Sequence, residues 1–123
     1  MTPKLLPARK TRWKKEDLLW MAGLLEGEGS FIVRRKKGAA IQCNMTDEDV
    51  LLKLAQCAGV GNVTGPYEPS GKSSRRKVWA WGVRRCLEVE ALMRALRPYM
   101  GRRRQAQIDV ALKQLVKKTG GSQ

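Results

Sequence analysis

The sequence predicts an α+β domain of order αββαββα(α), with one antiparallel four-stranded sheet covered by helices on one face. Three observations predict it. Residues 30 to 36 and 40 to 45 alternate with a period of two, as strands do. Residues 50 to 58 place Val50, Leu51, Leu54, Ala55 and Ala58 at helical spacing. The chain has 123 residues, enough for one domain with a modest core.

Residues 1 to 15 are polar, basic and broken by Pro3 and Pro7, and form the expected flexible arm. A first helix is expected from Lys14–Asp17, with Glu16 and Asp17 in its first turn, to the glycines at 27 and 29. Phe31, Val33 and Arg35 then alternate with Ser30, Ile32, Arg34 and Lys36, and Gly38 turns the chain into a second strand. In that strand Ile41, Cys43 and Met45 share one face, and Gln42 and Asn44 the other. Thr46 is the expected N-cap of a second helix that stops at Gly59. A third strand is expected at about 60 to 67 and a fourth at VWAWGV, joined by a polar loop with four basic residues. Helices at about 84 to 96 and 102 to 118 and a frayed tail, 119 to 123, complete the domain of residues 16 to 118. Trp79 and Trp81 share a face; core packing is favoured over base stacking, and the sequence alone leaves open which face of the sheet they occupy.

Lys and Arg number 25 against 11 Asp and Glu, a net charge of +14. Such an imbalance self-repels unless a polyanion neutralises it, so nucleic acid is the first partner to consider and an anionic membrane surface the second. The longest apolar run, Leu18 to Leu25, is too short to span a bilayer, and the N-terminus lacks the apolar core of a signal peptide. A cytoplasmic protein acting on intracellular DNA is expected. The three cysteines, Cys43, Cys57 and Cys86, are odd in number and dispersed, which fits buried free thiols. There is no His, so His-based nucleophile activation and His-ligated zinc chemistry are excluded. Any phosphodiester cleavage must rest on carboxylates, a metal ion and basic side chains.

The first helix ends in an unusual way. Ala22, Gly23 and Gly27 are small and would admit a second backbone. Glu26 and Glu28 then place two carboxylates at the negative end of the helix dipole, which costs stability unless a cation sits there. On the residues alone, a solvated helix stop and a cation site both remain open.

The segment MAGLLEGEG, residues 21 to 29, resembles the signature of the LAGLIDADG homing endonucleases. The element order that follows, the junction Gly59-Val60-Gly61-Asn62-Val63 and the segment Leu96-Arg97-Pro98-Tyr99 extend the likeness over about residues 16 to 118. The resemblance implies a site-specific double-strand DNA endonuclease. With one copy of the motif, the chain resembles the homodimeric members, in which two signature helices pack at a two-fold axis. Ala22, Gly23 and Gly27 would make that contact, with Glu26 as the structural acid beside it. Glu28 would be the catalytic acid and, with Gly27, would hold Mg²⁺ or Mn²⁺. Arg102 would be the basic residue tuning the site. Family members often carry Gln near the end of the second strand; here that position falls on Cys43, Asn44 or Met45, a departure. The partner implied is a long pseudo-palindromic duplex, with no membrane and no small-molecule substrate.

The free sheet face would form the DNA-binding saddle. Ser30, Ile32, Arg34 and Lys36, with Gln42, Asn44, Asn62 and Thr64, would face DNA, Arg34 reading guanine and Gln42 or Asn44 adenine. Arg75, Arg76 and Lys77, with Lys37 and Lys72, would hold phosphates, as would Arg103 and Arg104. The competing readings are a non-cleaving DNA-binding module, an intron-RNA maturase, and a basic structural protein of a ribosome or nucleoid.

Overall fold

A computed structural model describes residues 12–36, 38–68 and 76–119, with side chains up to residue 116. The expected arm and tail lie largely outside these residues. The order is α1 (Lys15–Glu28), β1 (Gly29–Arg34), β2 (Gly38–Met45), α2 (Glu48–Ala58), β3 (Asn62–Tyr67), β4 (Val78–Val83), α3 (Cys86–Leu96) and α4 (Arg102–Thr119). A short 3-10 turn at Arg97–Tyr99, where Pro98 ends the α-helical hydrogen bonding, separates the last two helices. The eight elements are those the sequence predicts.

The strands form one antiparallel sheet in the order β1-β2-β4-β3. Phe31, Ile41, Cys43, Trp81 and Val83 point to one face and join a core with residues from all four helices. The alternation of β1 and β2 is therefore a two-sided sheet with one dry face. Trp81 lies in that core, with its indole Nε1 donating to the Val60 carbonyl at 3.2 Å, and Trp79 packs against it. Trp13 Nε1 donates to the Ala58 carbonyl at 2.8 Å and ties the entry of α1 to the end of α2.

Two helix starts differ from expectation. Thr46 is not the cap of α2: the helix begins at Glu48 with Asp47 as N-cap, which makes no side-chain capping bond, and Glu48 and Asp49 in the first turn complement the dipole. α3 begins at Cys86, because Arg84 and Arg85 continue the chain beyond β4 before it turns helical. Gly59 ends α2 as expected, at φ 71° in the left-handed region. Of the three cysteines only Cys43 is buried, while Cys57 and Cys86 are half-buried thiols. Among the described residues, no helix is long and apolar enough to cross a membrane.

Candidate active site

α1 runs straight into β1. The Gly29 N–H bonds the Leu25 carbonyl and the backbone is already extended at φ −90°, ψ 169°. A Cβ at Gly29 would stand 2.6 Å from Leu25 Cδ2, so any larger residue would force a shift where the helix ends this abruptly. The residue before it, Glu28, is exposed at the very end of the helix. Its side chain makes no hydrogen bond or ion pair among the described residues.

Gly29 pairs with Cys43 across the β1–β2 ladder, which brings Cys43 beside the acid. Burial pushes the Cys43 thiol up to about 11, and the negative charge of Glu28 pushes it the same way. The free thiol is thus neutral near pH 7. Among the described residues, no group of three His, Cys, Asp or Glu stands together. At the very end of α1, Glu28 is the carboxylate left without a hydrogen-bond or ion-pair partner among the described residues.

Glu26 behaves differently from Glu28. Its carboxylate Oε1 accepts the Gly101 N–H at 2.9 Å, and its carbonyl accepts Arg104 Nε at 3.1 Å. The start of α4 is thereby held against the end of α1. Arg102 and Arg103 are exposed there, while Arg104 is turned inward and is 8% exposed. Arg104 thus departs from its expected place as a phosphate contact. It lies on the buried stripe of α4 with Ile108, Ala111 and Leu115, and this i, i+4, i+7, i+11 spacing was present in the sequence.

The small residues of α1 divide between two faces. Ala22 is 2% exposed and packs into its own core. Gly23 and Gly27 are exposed, with nothing within 4 Å of where a Cβ would stand. Leu19, 49% exposed, continues the same stripe one turn earlier. The open stripe is thus Leu19–Gly23–Gly27, at i, i+4, i+8, and not the expected set of Ala22, Gly23 and Gly27; the spacing of Leu19 is visible in the sequence.

The open sheet face gathers most of the predicted reading residues into rows. Ser30 lies opposite Gln42, Gln42 opposite Gly82, and Gly82 opposite Asn62. Asn44, Ala80 and Thr64 form the next row, and Ile32 with Ala40 the row on the other side. The small side chains at Ala40, Ala80 and Gly82 leave a groove of about 740 Å³ between the polar ones. Within it Gln42 Nε2 donates to Asn44 Oδ1 at 3.2 Å, and the Tyr67 hydroxyl donates to Thr64 Oγ1 at 2.9 Å. Tyr67, Arg84 and Arg85 also line the groove and were not among the expected residues.

Arg34 is half-buried at the end of β1, and Lys36 sits in the hairpin turn at φ 62°, off the strand where it was placed. Arg76 lies 3.7 Å from Asp47 and Lys77 lies 3.8 Å from Glu68, all four exposed. Arg75, Lys37 and Lys72 lie outside the described residues.

No family model and no curated protein matches the chain by sequence. Solved structures do match. The homing endonuclease I-CvuI, in complex with its target in the presence of Ca, superposes with a TM-score of 0.68 at 16% identity, over 89% of this chain and 73% of that one. The chain has the LAGLIDADG homing-endonuclease fold. The group I intron-encoded homing endonuclease I-CeuI, complexed with DNA, gives a TM-score of 0.66 at 16% identity, over 88% of this chain and 57% of that one. The LAGLIDADG meganuclease I-AabMI, bound to uncleaved DNA, gives 0.64 at 17%, over 85% of this chain and 38% of that one. The homing-endonuclease fold is the one that the MAGLLEGEG segment and the element order imply.

Proposed function

We propose that the chain is a divalent-metal-dependent, site-specific DNA endonuclease that works as a homodimer on intracellular double-stranded DNA. The observation that carries this reading is Glu28: an exposed carboxylate at the end of a helix whose dipole disfavours it, with no partner among the described residues. An exposed carboxylate at the negative end of a helix, with no basic side chain paired to it among the described residues, is suited to a cation.

The donor set fits Mg²⁺ or Mn²⁺, which favour carboxylate, carbonyl and phosphate oxygens over thiols. Glu28, with the Gly27 carbonyl beside it, would hold the ion. A bound divalent ion supplies Lewis-acid charge at a phosphate and lowers the pKa of water. One chain gives half of such a centre, and the open Leu19–Gly23–Gly27 stripe of α1 supports packing of a second α1 against it, bringing two Glu28 side chains together. Arg102 and Arg103, exposed at the start of α4, would grip the phosphates beside the site. The sheet rows of Ser30, Gln42, Asn44, Asn62 and Thr64 would orient a long pseudo-palindromic duplex by its base edges.

The test is cutting of a randomised DNA library by the purified protein. Wild type should cut or nick with Mg²⁺ or Mn²⁺ and stop when the metal is chelated. Glu28→Gln should lose several kcal/mol of charge stabilisation, roughly a thousand-fold in rate, while DNA binding survives. A Glu28→Gln variant that cuts at the wild-type rate removes the assignment.

A further inference from the structure

α1 and α4 each end with the wrong charge for their dipoles. The negative C-terminal end of α1 carries Glu26 and Glu28 and no basic residue in its last turn. The positive N-terminal end of α4 carries Arg102, Arg103 and Arg104 and no acid in its first turn. Left apart, both ends would be destabilised.

The structure resolves this by exchange. The Glu26 carboxylate crosses to the N-terminus of α4, where it accepts the Gly101 N–H at 2.9 Å. The Arg104 guanidinium crosses to the C-terminus of α1, where Nε donates to the Glu26 carbonyl at 3.1 Å. That carbonyl is one of the four that a helix end leaves without intrahelical donors. Arg104 is further fixed by Nη1 donating to Gln107 Oε1 at 2.9 Å and by lying over the Phe31 ring at 5.9 Å. Gly101 permits the approach, since a Cβ there would stand 3.2 Å from Glu26 Oε2. The exchange consumes one acid and one arginine, and the groups left exposed at the junction are Glu28, Arg102 and Arg103.

We propose that Glu26 and Arg104 form a reciprocal latch and are positioning residues of the cutting site, fixing the Glu28 carboxylate on α1 relative to Arg102 and Arg103 on α4. Arg104 then acts inward on the helix end rather than outward on DNA. The inference rests on the reading of Glu28 as the metal-holding acid. Glu28 lies two residues beyond Glu26, in the same last turn. A turn that loosens moves the carboxylate, and displacements of about 1 Å can cost on the order of a hundred-fold in rate.

The experiment uses the full chain with Glu26→Ala, Glu26→Gln, Arg104→Gln and Arg103→Gln. Glu26→Ala and Arg104→Gln should slow single-turnover cutting on the order of ten- to a hundred-fold, with DNA affinity in chelator and its salt dependence unchanged. Glu26→Gln keeps an Oε1 acceptor and should recover most of the rate. Arg103→Gln should instead reduce the log–log salt slope of binding by about 0.9, the value for one phosphate neutralised. An Arg104→Gln variant whose salt slope becomes shallower by about 0.9 while its single-turnover cutting stays at the wild-type rate overturns the latch. If Arg104→Gln fails to fold, the contrast of Ala with Gln at position 26 decides alone, and equal rates overturn the proposal. If wild type cuts no DNA, the reading of Glu28 has failed, and the latch is judged separately by amide exchange. Exchange at Gly101 and residues 27 to 29 should then rise at least roughly ten-fold in Glu26→Ala while β2 and β4 stay protected; unchanged exchange overturns it.

Discussion

The acid site depends on one missing Cβ. Gly29 follows Glu28 and lies against Leu25, whose Cβ and carbonyl oxygen are both 3.0 Å from where a Gly29 Cβ would be. Leu25 is fully buried, so it has nowhere to retreat. Gly29→Ala should therefore cost about 1–3 kcal/mol, as overpacking does, seen as a lower urea midpoint. It should also shift Glu28 and reduce cutting more than DNA binding. An unchanged midpoint would show that the junction is looser than its geometry. At this scale the sequence was only partly legible. It marked Gly29 as a helix breaker but not which atoms forbid a side chain. It marked the Arg102–Arg104 run as basic, and the burial of Arg104 could have been read from its register with Ile108, Ala111 and Leu115. Its bond to the Glu26 carbonyl crosses 78 residues of chain, a distance no local pattern reports.

Among elements, α1 carries two duties on opposite faces. Leu18, Met21, Ala22 and Leu25 bury one face in the core, while Leu19, Gly23 and Gly27 leave the other open. A glycine in an exposed helical position costs about 1 kcal/mol relative to better helix formers, so Gly23 weakens an isolated chain. Gly23→Leu should accordingly raise the monomer's unfolding midpoint, and in a dimer packed through α1 it should wedge the helices apart and weaken association on the order of a hundred-fold or more. Sedimentation across a dilution series measures this. Association that is undiminished in Gly23→Leu would remove α1 from the interface. Periodicity made most of the elements legible, because a buried side leaves a pattern, whereas β3 is exposed at every position but the half-buried Val63 and was legible only from its place after Gly59. The order β1-β2-β4-β3 was not legible, because pairing of β2 with β4 is settled by core packing between segments over 30 residues apart. The start of α2 was misplaced because Thr46 and Asp47 both have capping chemistry and only the fold chooses between them.

For the whole molecule, charge sets the response to salt. Asp47, Glu68, Glu88, Glu90 and Asp109 each have a basic partner. Even if all 11 acids were paired, 25 basic residues would leave 14 cations without one. Those charges repel one another in the free protein and are neutralised by phosphates in a DNA complex. Salt should thus act with opposite signs on the two states. From about 50 to about 500 mM salt, screening of self-repulsion shortens to a few ångströms, and the thermal midpoint of the free chain should rise. Over the same range, log K for duplex DNA should fall linearly with log salt, by about 0.9 for each phosphate engaged. Calorimetry of the free chain and fluorescence anisotropy with labelled duplex measure the two arms. A free-chain midpoint that falls with salt would mean that the ion pairs, Arg97–Asp109 at 2.7 Å foremost, outweigh the repulsion. A flat binding arm would mean that the +14 charge is not directed at phosphate, and the saddle would lose its electrostatic support.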